Sequence, residues 1–332
     1  MANRGFEIAG IPVKNRFVLA PLAGFTDYSL RKLSSDMGAG LVYTEMESCE
    51  SLLHGSQATL EDLKNTHRDR RDEKDTRLAM QIFGGKAESI LQSIPLFEKE
   101  AEYDFLDFNV GCPVPKVMRQ RAGSYWLNRL DELFSLLEKM VSISRKPVIV
   151  KIRIGFDEIM DVRHVCRKME SCGVKAIAVH GRTRKEGFMG PVHYDIIRAI
   201  KESVSIPVIA NGAIDERNFL DVLEETKADA VMIGQRAIGY PKVFQDMVRV
   251  EQGLAPIENT LKSQVEILKE HLRLMFSCKE EKPASDIMRG ISVRYLKGFG
   301  NIKETKLALV HCRSLDEYLS VLSRISFENQ VQ

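Results

Sequence analysis

Eight short apolar runs, rich in β-branched residues, recur along the first part of the chain, and each is followed by an amphipathic stretch of helical length. Runs without polar alternation are typical of parallel strands that are covered on both faces. They are FVLAPLAG (17–24), GLVYTEM (40–46), LAMQIFGG (78–85), FLDFNVGC (105–112), PVIVKIRIG (147–155), AIAVHGRT (176–183), PVIANGAI (207–214) and AVMIGQRAI (230–238). Eight strand–helix repeats in roughly 240 residues predict a closed (β/α)8 TIM barrel, with an open doubly wound sheet as the alternative.

The pattern changes at about residue 242, where long amphipathic segments follow one another without strand-like runs. These segments are KVFQDMVRVEQG (242–253), SQVEILKEHLRLMFSC (263–278), SDIMRGISVRYLKG (285–298) and SLDEYLSVLSRI (314–325). We therefore predict a barrel over residues 1–241 and a C-terminal all-helical domain over residues 242–332. The segment GFEIAGIPVKNR (5–16) precedes the first run and is predicted to be a short hairpin that closes the other end of the barrel.

The composition of the 332 residues, 44% hydrophobic and 28% charged, excludes a disordered or low-complexity protein. No apolar run reaches the roughly 20 residues that a membrane span needs, and the start MANRGFEIAG lacks the apolar region of a signal peptide. The six cysteines are scattered singly, without the spacing of a disulfide scaffold or a zinc site. We expect a cytoplasmic protein with reduced thiols and no metal, and we expect a monomer.

The net charge of +2 says little about partners, but basic residues cluster locally. Between residues 289 and 313 six basic side chains face a single acidic one, Glu304. The six are Arg289, Arg294, Lys297, Lys303, Lys306 and Arg313. A second run, KNTHRDRRDEK (64–74), is predicted to lie in the loop after the second strand, on the active-site face. Either run alone could be solvated surface, but two together favour a partner with a phosphate backbone.

Polar residues and glycines crowd the carboxyl ends of the apolar runs, and in a barrel these ends converge on one face and build the active site. Lys151 and His180 each end a run as single polar residues, so both should point into the mouth of the barrel. A buried lysine is costly unless an anion meets it. The glycine-containing ends of the last two runs are where barrel enzymes commonly hold a phosphate.

Cys112 follows a strand directly and lies between Gly111 and Pro113, so it should be presented to the active site rather than packed in the core. A thiol with an ordinary pKa near 8.5 is mostly protonated at neutral pH yet gives up its proton readily, which suits a general acid. The other five cysteines are interpreted as packing residues.

Eight motifs occur in an order that resembles the tRNA-dihydrouridine synthases, and the bacterial B-type most of all, from about residue 6 to residue 322. They are APLAGFTD (20–27), QIFGG (81–85), NVGCP (109–113), VKIRIG (150–155), HGRTR (180–184), PVIANG (207–212), VMIGQRAIG (231–239) and YLKGF (295–299). The resemblance implies an enzyme that reduces uridine to 5,6-dihydrouridine in tRNA, with FMN as cofactor and NADPH as reductant. Hydride would pass from flavin N5 to C6 of uracil, and Cys112 would protonate C5.

The resemblance also implies roles for individual positions. The FMN-binding set would be Pro21, Leu22, Ala23, Gln81, Lys151, His180, Asn211, Gly212, Ala213, Gly234 and Gln235, of which the last five would hold the phosphate. Asn109 and Arg182 would help to hold the target base. The C-terminal domain would bind the RNA backbone through Arg289, Arg294, Lys297 and Lys303.

The sequence departs from the family pattern at several positions. Gln235 stands where arginine is usual, and the adjacent Arg236 could substitute as a phosphate ligand. NGAI replaces the commoner NGDI, and the helical domain lacks the histidine and tryptophan often found in MRGISVRYLKG. The alternatives are a reductase of another RNA such as rRNA, a reductase of a free pyrimidine, and a weakened RNA-binding homologue.

Overall fold

The computed structural model describes residues 5–72 and 75–327. An antiparallel hairpin precedes the barrel, as predicted. Its strands are β1 (Phe6–Ile8) and β2 (Ile11–Val13). The turn residues Ala9 and Gly10 both have positive φ, 52° and 79°, the combination that joins two-residue hairpins without splaying their strands. Ile8 and Val13 are buried among residues of the barrel interior, so the hairpin plugs one end of the barrel.

Eight parallel strands close into a barrel with neighbours in sequence order, β10 pairing with β3. They are β3 (Phe17–Leu19), β4 (Leu41–Ser48), β5 (Arg77–Phe83), β6 (Phe105–Val110), β7 (Val148–Arg153), β8 (Ile177–His180), β9 (Val208–Asn211) and β10 (Ala230–Ile233). Six of these strands lie within a predicted apolar run, β4 extends two residues beyond the end of its run, and β5 begins one residue before its run. The TIM barrel is therefore confirmed, and the open sheet is excluded.

Helices between and after these strands cover the outside of the barrel. They are α1 (Tyr28–Asp36), α2 (Cys49–Leu53), α3 (Gln57–Asp72), α4 (Ala87–Glu100), α5 (Pro115–Arg119), α6 (Leu130–Ile143), α7 (Val162–Ser171), α8 (Tyr194–Lys201), α9 (Phe219–Thr226) and α10 (Val243–Glu251). Helix α6 illustrates the local reason, because two acidic residues favour its first turn and its buried leucines recur at spacings of three and four. Short 3₁₀ turns span Gly123–Asn128 and Gln235–Ala237.

Four further helices form a unit with an apolar core of its own. They are α11 (Leu261–Cys278), α12 (Glu281–Tyr295), α13 (Lys303–Leu309) and α14 (Leu315–Ser323). Helix α11 begins at a capping box, in which Thr260 and Ser263 satisfy each other's backbone N–H groups. The C-terminal all-helical region is confirmed.

Helix α10 belongs to the barrel rather than to this helical unit. Its buried side chains Val243, Phe244 and Met247 lie in the same apolar core as the other barrel helices. A boundary at residue 242 would separate the eighth strand from the helix that covers it. We therefore propose that the domain boundary lies between α10 and α11, within residues 252–260.

Candidate active site

The barrel interior is divided into an apolar layer and a polar layer by the alternation of side chains along each strand. Buried residues from all eight strands form one apolar cluster near the hairpin, and Ala79, Phe105 and Ile149 belong to it. Two positions further along the same strands stand polar residues: Gln81, Asp107 and Lys151. The polar residues therefore collect at the carboxyl end of the barrel.

A cavity of about 840 Å³ opens above this polar layer. All eleven residues of the predicted FMN-binding set line it, together with Cys112, Asn109, Arg182 and Arg294. The structure thus brings these sequence-predicted residues to one place, while their individual roles stay predictions. The structure also adds lining residues that the sequence reasoning did not select: Val114, Phe188, Asp215, Arg217 and Asn218.

A chain of hydrogen bonds connects the floor of the cavity to the cysteine. The Gln81 Nε2 donates to Asp107 Oδ2 at 2.5 Å, and the Gln81 Oε1 accepts from Asn109 Nδ2 at 2.8 Å. The Asn109 Oδ1 in turn accepts the backbone N–H groups of Gly111 and Cys112, at 3.1 and 2.9 Å. Gln81 and Asp107 are neighbours across β5 and β6 and are fully buried. This chain fixes the start of the loop that carries Cys112.

Cys112 is half-buried and lines the cavity, whereas four of the other five cysteines are buried and all six are free thiols. Burial raises the pKa of Cys112, and the positive charges of Lys151 and Arg153 act in the opposite direction. A thiol in this setting stays protonated at neutral pH and can still leave a thiolate that two cations stabilise. This arrangement suits a proton donor.

Burial also shifts two ionisable groups of the polar layer toward neutrality. It raises the pKa of Asp107 to about 8 and lowers the pKa of Lys151 to about 8. At pH 7 Asp107 is therefore mainly uncharged while Lys151 keeps most of its positive charge. With Arg153 and Arg182 also lining the cavity, its interior is electropositive and favours an anionic ligand.

His180 is a neutral side chain within this electropositive cavity. Burial lowers its pKa far below 6.5, and Arg153, Lys151 and Arg182 lower it further. Its Nε2 lies 3.4 Å from Arg182 Nη1, which can donate only to an unprotonated nitrogen. His180 therefore offers an uncharged ring edge to a ligand and does not titrate near pH 7.

The turn after β9 places backbone groups at the other end of the cavity. Gly212 and Ala213 both have positive φ, 126° and 49°. A side chain at Gly212 would meet His180 Cδ2 at 3.0 Å, so glycine is needed for the close approach of these two segments. Lys151 Nζ donates to Asn211 Oδ1 at 3.2 Å and thereby joins this turn to the polar layer.

Two arginines that line this end of the cavity are paired with carboxylates. Arg236 bonds Glu216, with Nε 2.9 Å from Oε2, and its guanidinium lies 4.0 Å from the Tyr240 ring centroid. Arg217 bonds Asp215, with Nε 3.1 Å from Oδ2. Arg236 is thus a cavity residue, as its proximity to Gln235 suggested, but it already has a carboxylate partner. Sequence reasoning missed Arg217, although it follows the NGAI turn by only three positions.

The helical unit contributes one basic side chain to the mouth of the cavity. Arg294 lines the cavity, and its guanidinium lies 5.2 Å from the Phe25 ring centroid. Lys297 and Lys303 are exposed outside the cavity, and Arg289 bonds Asp286 at 3.0 Å on its own helix. Lys297, Lys303 and Arg289 can therefore contact only a partner that extends beyond the cavity.

The basic run over residues 64–74 is not an active-site loop, so that prediction is wrong. Its described part is helical and belongs to α3. Arg70 donates to Asp104 Oδ2 at 2.9 Å, and Asp104 lies just before β6, at the amino end of the barrel. Asp69 forms a buried pair with Arg31 at 2.6 Å. Arg70 and Asp69 thus tie α3 to the scaffold, and residues 73–74 lie outside the described part.

Within residues 5–72 and 75–327 no helix is long and apolar enough to cross a membrane. In the same ranges no group of three or more His, Cys, Asp or Glu side chains is arranged to hold a metal ion.

The chain matches known proteins over almost its whole length. The family model described as Dihydrouridine synthase (Dus) matches residues 18–331. A probable tRNA-dihydrouridine synthase of Aquifex aeolicus is 31% identical over 309 residues, which cover 92% of this chain and 94% of that protein. The tRNA-dihydrouridine synthase B of Escherichia coli K12 is 38% identical over 243 residues, 73% of this chain and 74% of that protein.

Solved structures share the architecture at low sequence identity. An old yellow enzyme homologue from Zymomonas mobilis superposes with a TM-score of 0.58 at 12% identity, covering 79% of this chain and 96% of that one. This likeness concerns the fold alone. Together with the cavity and the cysteine at the end of β6, the family match leads to one conclusion: the chain is an enzyme of the dihydrouridine synthase family.

Proposed function

We propose that this enzyme reduces uridine to 5,6-dihydrouridine in tRNA, with FMN as its resident cofactor and NADPH as the reductant. The observation that carries the proposal is the thiol of Cys112, which lies on the wall of an electropositive cavity at the carboxyl end of the barrel. The names of the relatives from Aquifex aeolicus and Escherichia coli support tRNA as the substrate.

The cavity fits a flavin mononucleotide. Its volume of about 840 Å³ lies within the range of cofactor sites, and it combines an apolar side at Pro21, Leu22 and Ala23 with a polar side at Gln81 and Lys151. The positive-φ turn over Gly212 and Ala213 brings backbone close to the cavity, as a phosphate site requires. Gly234 and Gln235 would complete that site, and Arg217 and Arg236 lie beside it.

Reduced FMN, when bound, supplies the hydride that C6 of the uracil ring accepts. The positive charge of Lys151 stabilises negative charge on a neighbouring ligand, since the side chain is partly buried and its charge is largely uncompensated at pH 7. The neutral His180 edge and the Gln81 amide orient a polar ring system by hydrogen bonds.

The proton comes from the protein. Asn109 and Arg182 would hold the base, and Cys112 would donate its thiol proton to C5 after C6 has accepted the hydride. The resulting thiolate is stabilised by Lys151 and Arg153 and regains a proton from solvent before the next turnover. Hydride and proton enter opposite ends of one carbon–carbon double bond, so base and thiol must be held in register.

The target uridine must leave its stack to enter the cavity, at a cost of a few kcal/mol. Contacts with the RNA backbone would offset this cost. Arg294 at the mouth of the cavity, and Arg289, Lys297 and Lys303 beyond it, form the basic surface that we propose for this role.

The Cys112→Ala variant tests the proposed reaction. We expect it to keep FMN and NADPH oxidation but to form dihydrouridine in tRNA transcripts at least about 100-fold more slowly, since a general acid contributes on that order. The matched control is Cys278→Ala, which removes another half-buried thiol outside the cavity and should keep wild-type turnover. Unchanged turnover in Cys112→Ala would remove the thiol from the mechanism.

The RNA substrate is tested separately. Dihydrouridine mapping in the total RNA of a deletion strain should show loss from tRNA, restored by the wild-type gene and not by Cys112→Ala. Loss from rRNA alone would assign the enzyme to that RNA, and a purified protein without flavin absorbance would contradict the cofactor.

A further inference from the structure

We propose that Phe188 and Met189 form a stacking ledge, which contacts the nucleobases next to the extruded uridine. This inference rests on the proposed function and deepens it, because it names a surface that would hold RNA at the mouth of the cavity. The ledge lies in the loop between β8 and α8.

The two side chains are unusually exposed for large apolar groups. Phe188 is 56% exposed and Met189 is 95% exposed, and Phe188 lines the cavity. Its ring centroid lies 6.0 Å from that of His180, so the loop continues the wall of the active site outward. Exposed apolar surface at the rim of a polar site marks a place where a partner is bound.

The loop is held in place by two arginines of the cavity, one on each side of the ledge. Arg153 Nη1 donates to the carbonyl oxygen of Gly187 at 2.9 Å, and Arg182 Nε donates to that of Gly190 at 2.6 Å. These carbonyls directly flank residues 188–189. The active site itself therefore fixes the ledge in position, and the exposure of the two side chains follows from a defined conformation.

Further contacts anchor the start of the loop. The Glu186 carboxylate accepts the N–H of Thr183 at 2.6 Å, and its other oxygen lies 2.9 Å from His193 Nε2. The guanidinium of Arg153 also lies 5.4 Å from the Phe188 ring centroid. A ring supported by a cation on one side remains available to a base on its exposed side.

A second exposed apolar residue and a set of basic side chains near the ledge indicate which kind of molecule binds there. Val114, two residues after Cys112, also lines the cavity and is 48% exposed. Exposed Lys116 and Arg119 lie in α5, which directly follows Val114, and exposed Lys185 lies in the same loop as the ledge. Apolar contacts interleaved with basic groups match single-stranded nucleic acid, in which bases stack on side chains and phosphates meet cations.

The chemistry of base extrusion explains why such a ledge is useful. A uridine that leaves its stack exposes the faces of its neighbours, and apolar side chains commonly cover bases that have been unstacked. Contact with Phe188 and Met189 would replace part of the lost stacking. The ledge would therefore stabilise the extruded state of the RNA and leave the chemical step unchanged.

The Met189→Ser variant is the cleanest test, because Met189 is nearly fully exposed and is absent from the cavity wall. We expect kcat/KM on a tRNA transcript to fall about five- to tenfold, with weaker binding of tRNA by fluorescence anisotropy. NADPH oxidation without RNA should not change. The control is Ile143→Ser, which alters an apolar residue 42% exposed at the end of α6, next to the amino end of the barrel.

A second experiment tests whether the side chain of Met189 contacts the bases next to the reduced uridine. After the reduced position has been mapped with the wild-type enzyme, transcripts with abasic nucleotides on either side of it are compared. If Met189 stacks on those bases, wild type and Met189→Ser should differ by less than twofold on the abasic RNA. Phe188→Ser serves as a second variant, and its activity on the abasic RNA should likewise differ from that of the wild type by less than twofold.

The outcomes separate the two proposals. A wild-type enzyme that forms no dihydrouridine would overturn the proposed function. An active wild-type enzyme with Met189→Ser indistinguishable from Ile143→Ser, or with an undiminished difference on abasic RNA, would overturn the ledge alone. A change in oligomeric state caused by Met189→Ser would show that the patch packs against a second copy of the chain, which would also overturn it.

Discussion

At the scale of single residues, Asp107 has the least obvious position, because its carboxyl group is fully buried in the polar layer, behind the cavity-lining Gln81. Its Oδ2 accepts from Gln81, whereas its Oδ1 finds no hydrogen-bond partner among the described residues. Through Gln81 and Asn109 it is connected to the backbone N–H of Cys112. Because Asp107 does not itself line the cavity, we propose that it is a positioning residue for the thiol.

Replacement of Asp107 by leucine should disturb that chain, because Gln81 loses the acceptor that fixes its amide. We expect Asp107→Leu to lower the rate of dihydrouridine formation about 10- to 100-fold, while NADPH oxidation changes less. Since burial raises the pKa of Asp107 to about 8, the carboxyl is mainly neutral at pH 7, and Asp107→Asn should preserve the acceptor and most of the activity. Single-turnover kinetics measure both rates. Equal loss in the two variants would contradict a positioning role.

The sequence predicted most of the residues that line the cavity, but it did not predict that the buried Asp107 supports them through Gln81 and Asn109. Polar residues after apolar runs predicted which side chains meet at one end of the barrel, since strand ends converge in that fold. Asp107 was overlooked because it lies inside an apolar run, two positions before Asn109. Arg217 lies in the turn before α9, and no periodicity places the side chains of such turns.

At the scale of elements, the 3₁₀ turn after α5 packs against the loop of the cysteine. Gly123 has a φ of 61°, and its neighbour Ser124 donates its backbone N–H to the carbonyl oxygen of Cys112 at 3.0 Å. A Cβ at Gly123 would lie 2.7 Å from that same oxygen and 3.0 Å from the Cβ of Cys112. The turn therefore requires glycine for its backbone and for the space beside the thiol.

Gly123→Ala should displace Cys112 as well as strain the backbone. Gly253→Ala is a matched control, because Gly253 has a φ of 80° with nothing within 4 Å of its would-be Cβ. Both variants should lose on the order of 1 kcal/mol of stability from the left-handed conformation. Only Gly123→Ala should also lose dihydrouridine formation, by about tenfold or more. Urea denaturation and turnover on tRNA measure the two effects, and full activity in Gly123→Ala would show that the loop yields without moving the thiol.

Three helices meet at a buried histidine where the helical unit joins the barrel. His271 of α11 lies 2.9 Å from Ser29 Oγ of α1 through Nε2 and 2.8 Å from Tyr295 Oη of α12 through Nδ1. Ser29 Oγ donates to Asp27 Oδ1, the cap of α1. Burial lowers the pKa of His271 to about 4, so the ring is neutral in the folded protein.

This histidine should make the stability of the protein sensitive to acid. Below pH 6.5 the unfolded state binds a proton that the folded state does not accept until about pH 4, so the free energy of unfolding falls as pH falls through this window. At pH 5 the loss is about 2 kcal/mol relative to pH 7. His271→Gln should be less stable at pH 7 but should lose correspondingly less between pH 7 and pH 5. Urea denaturation at both values tests this, and parallel pH profiles would contradict it.

Element by element, the sequence predicted the barrel well because buried parallel strands leave a distinctive apolar pattern. It misplaced the run 64–74, since a charge-rich segment resembles a solvated loop even when it forms a helix. Within that segment Arg70 and Asp69 make scaffold contacts that only the tertiary structure defines. Helix α10 is amphipathic like the helices that follow it, so the pattern alone could not assign it to the barrel.

At the scale of the whole molecule, basic side chains are concentrated in and around the cavity, although the net charge of the chain is small. The chain carries a net charge of only +2. The cavity nonetheless contains Lys151, Arg153 and Arg182, and Arg294 lies at its mouth. Lys297 and Lys303 of the helical unit follow Arg294 closely in the sequence and are exposed. This arrangement is consistent with an RNA that lies across the helical unit and inserts one nucleotide into the barrel.

The double variant Lys297→Glu with Lys303→Glu tests that arrangement. Each lysine that contacts a phosphate releases a counterion on binding, so the variant should bind tRNA more weakly, and the slope of log K against log salt concentration should become shallower by about 1 to 2. Lys139→Glu with Lys146→Glu makes the same change in net charge at exposed positions in and after α6, away from the cavity, and should leave the slope close to wild type. Fluorescence anisotropy from low to moderate salt measures both slopes. If the two double variants lose affinity equally, only net charge matters, and the basic surface of the helical unit does not contact the RNA.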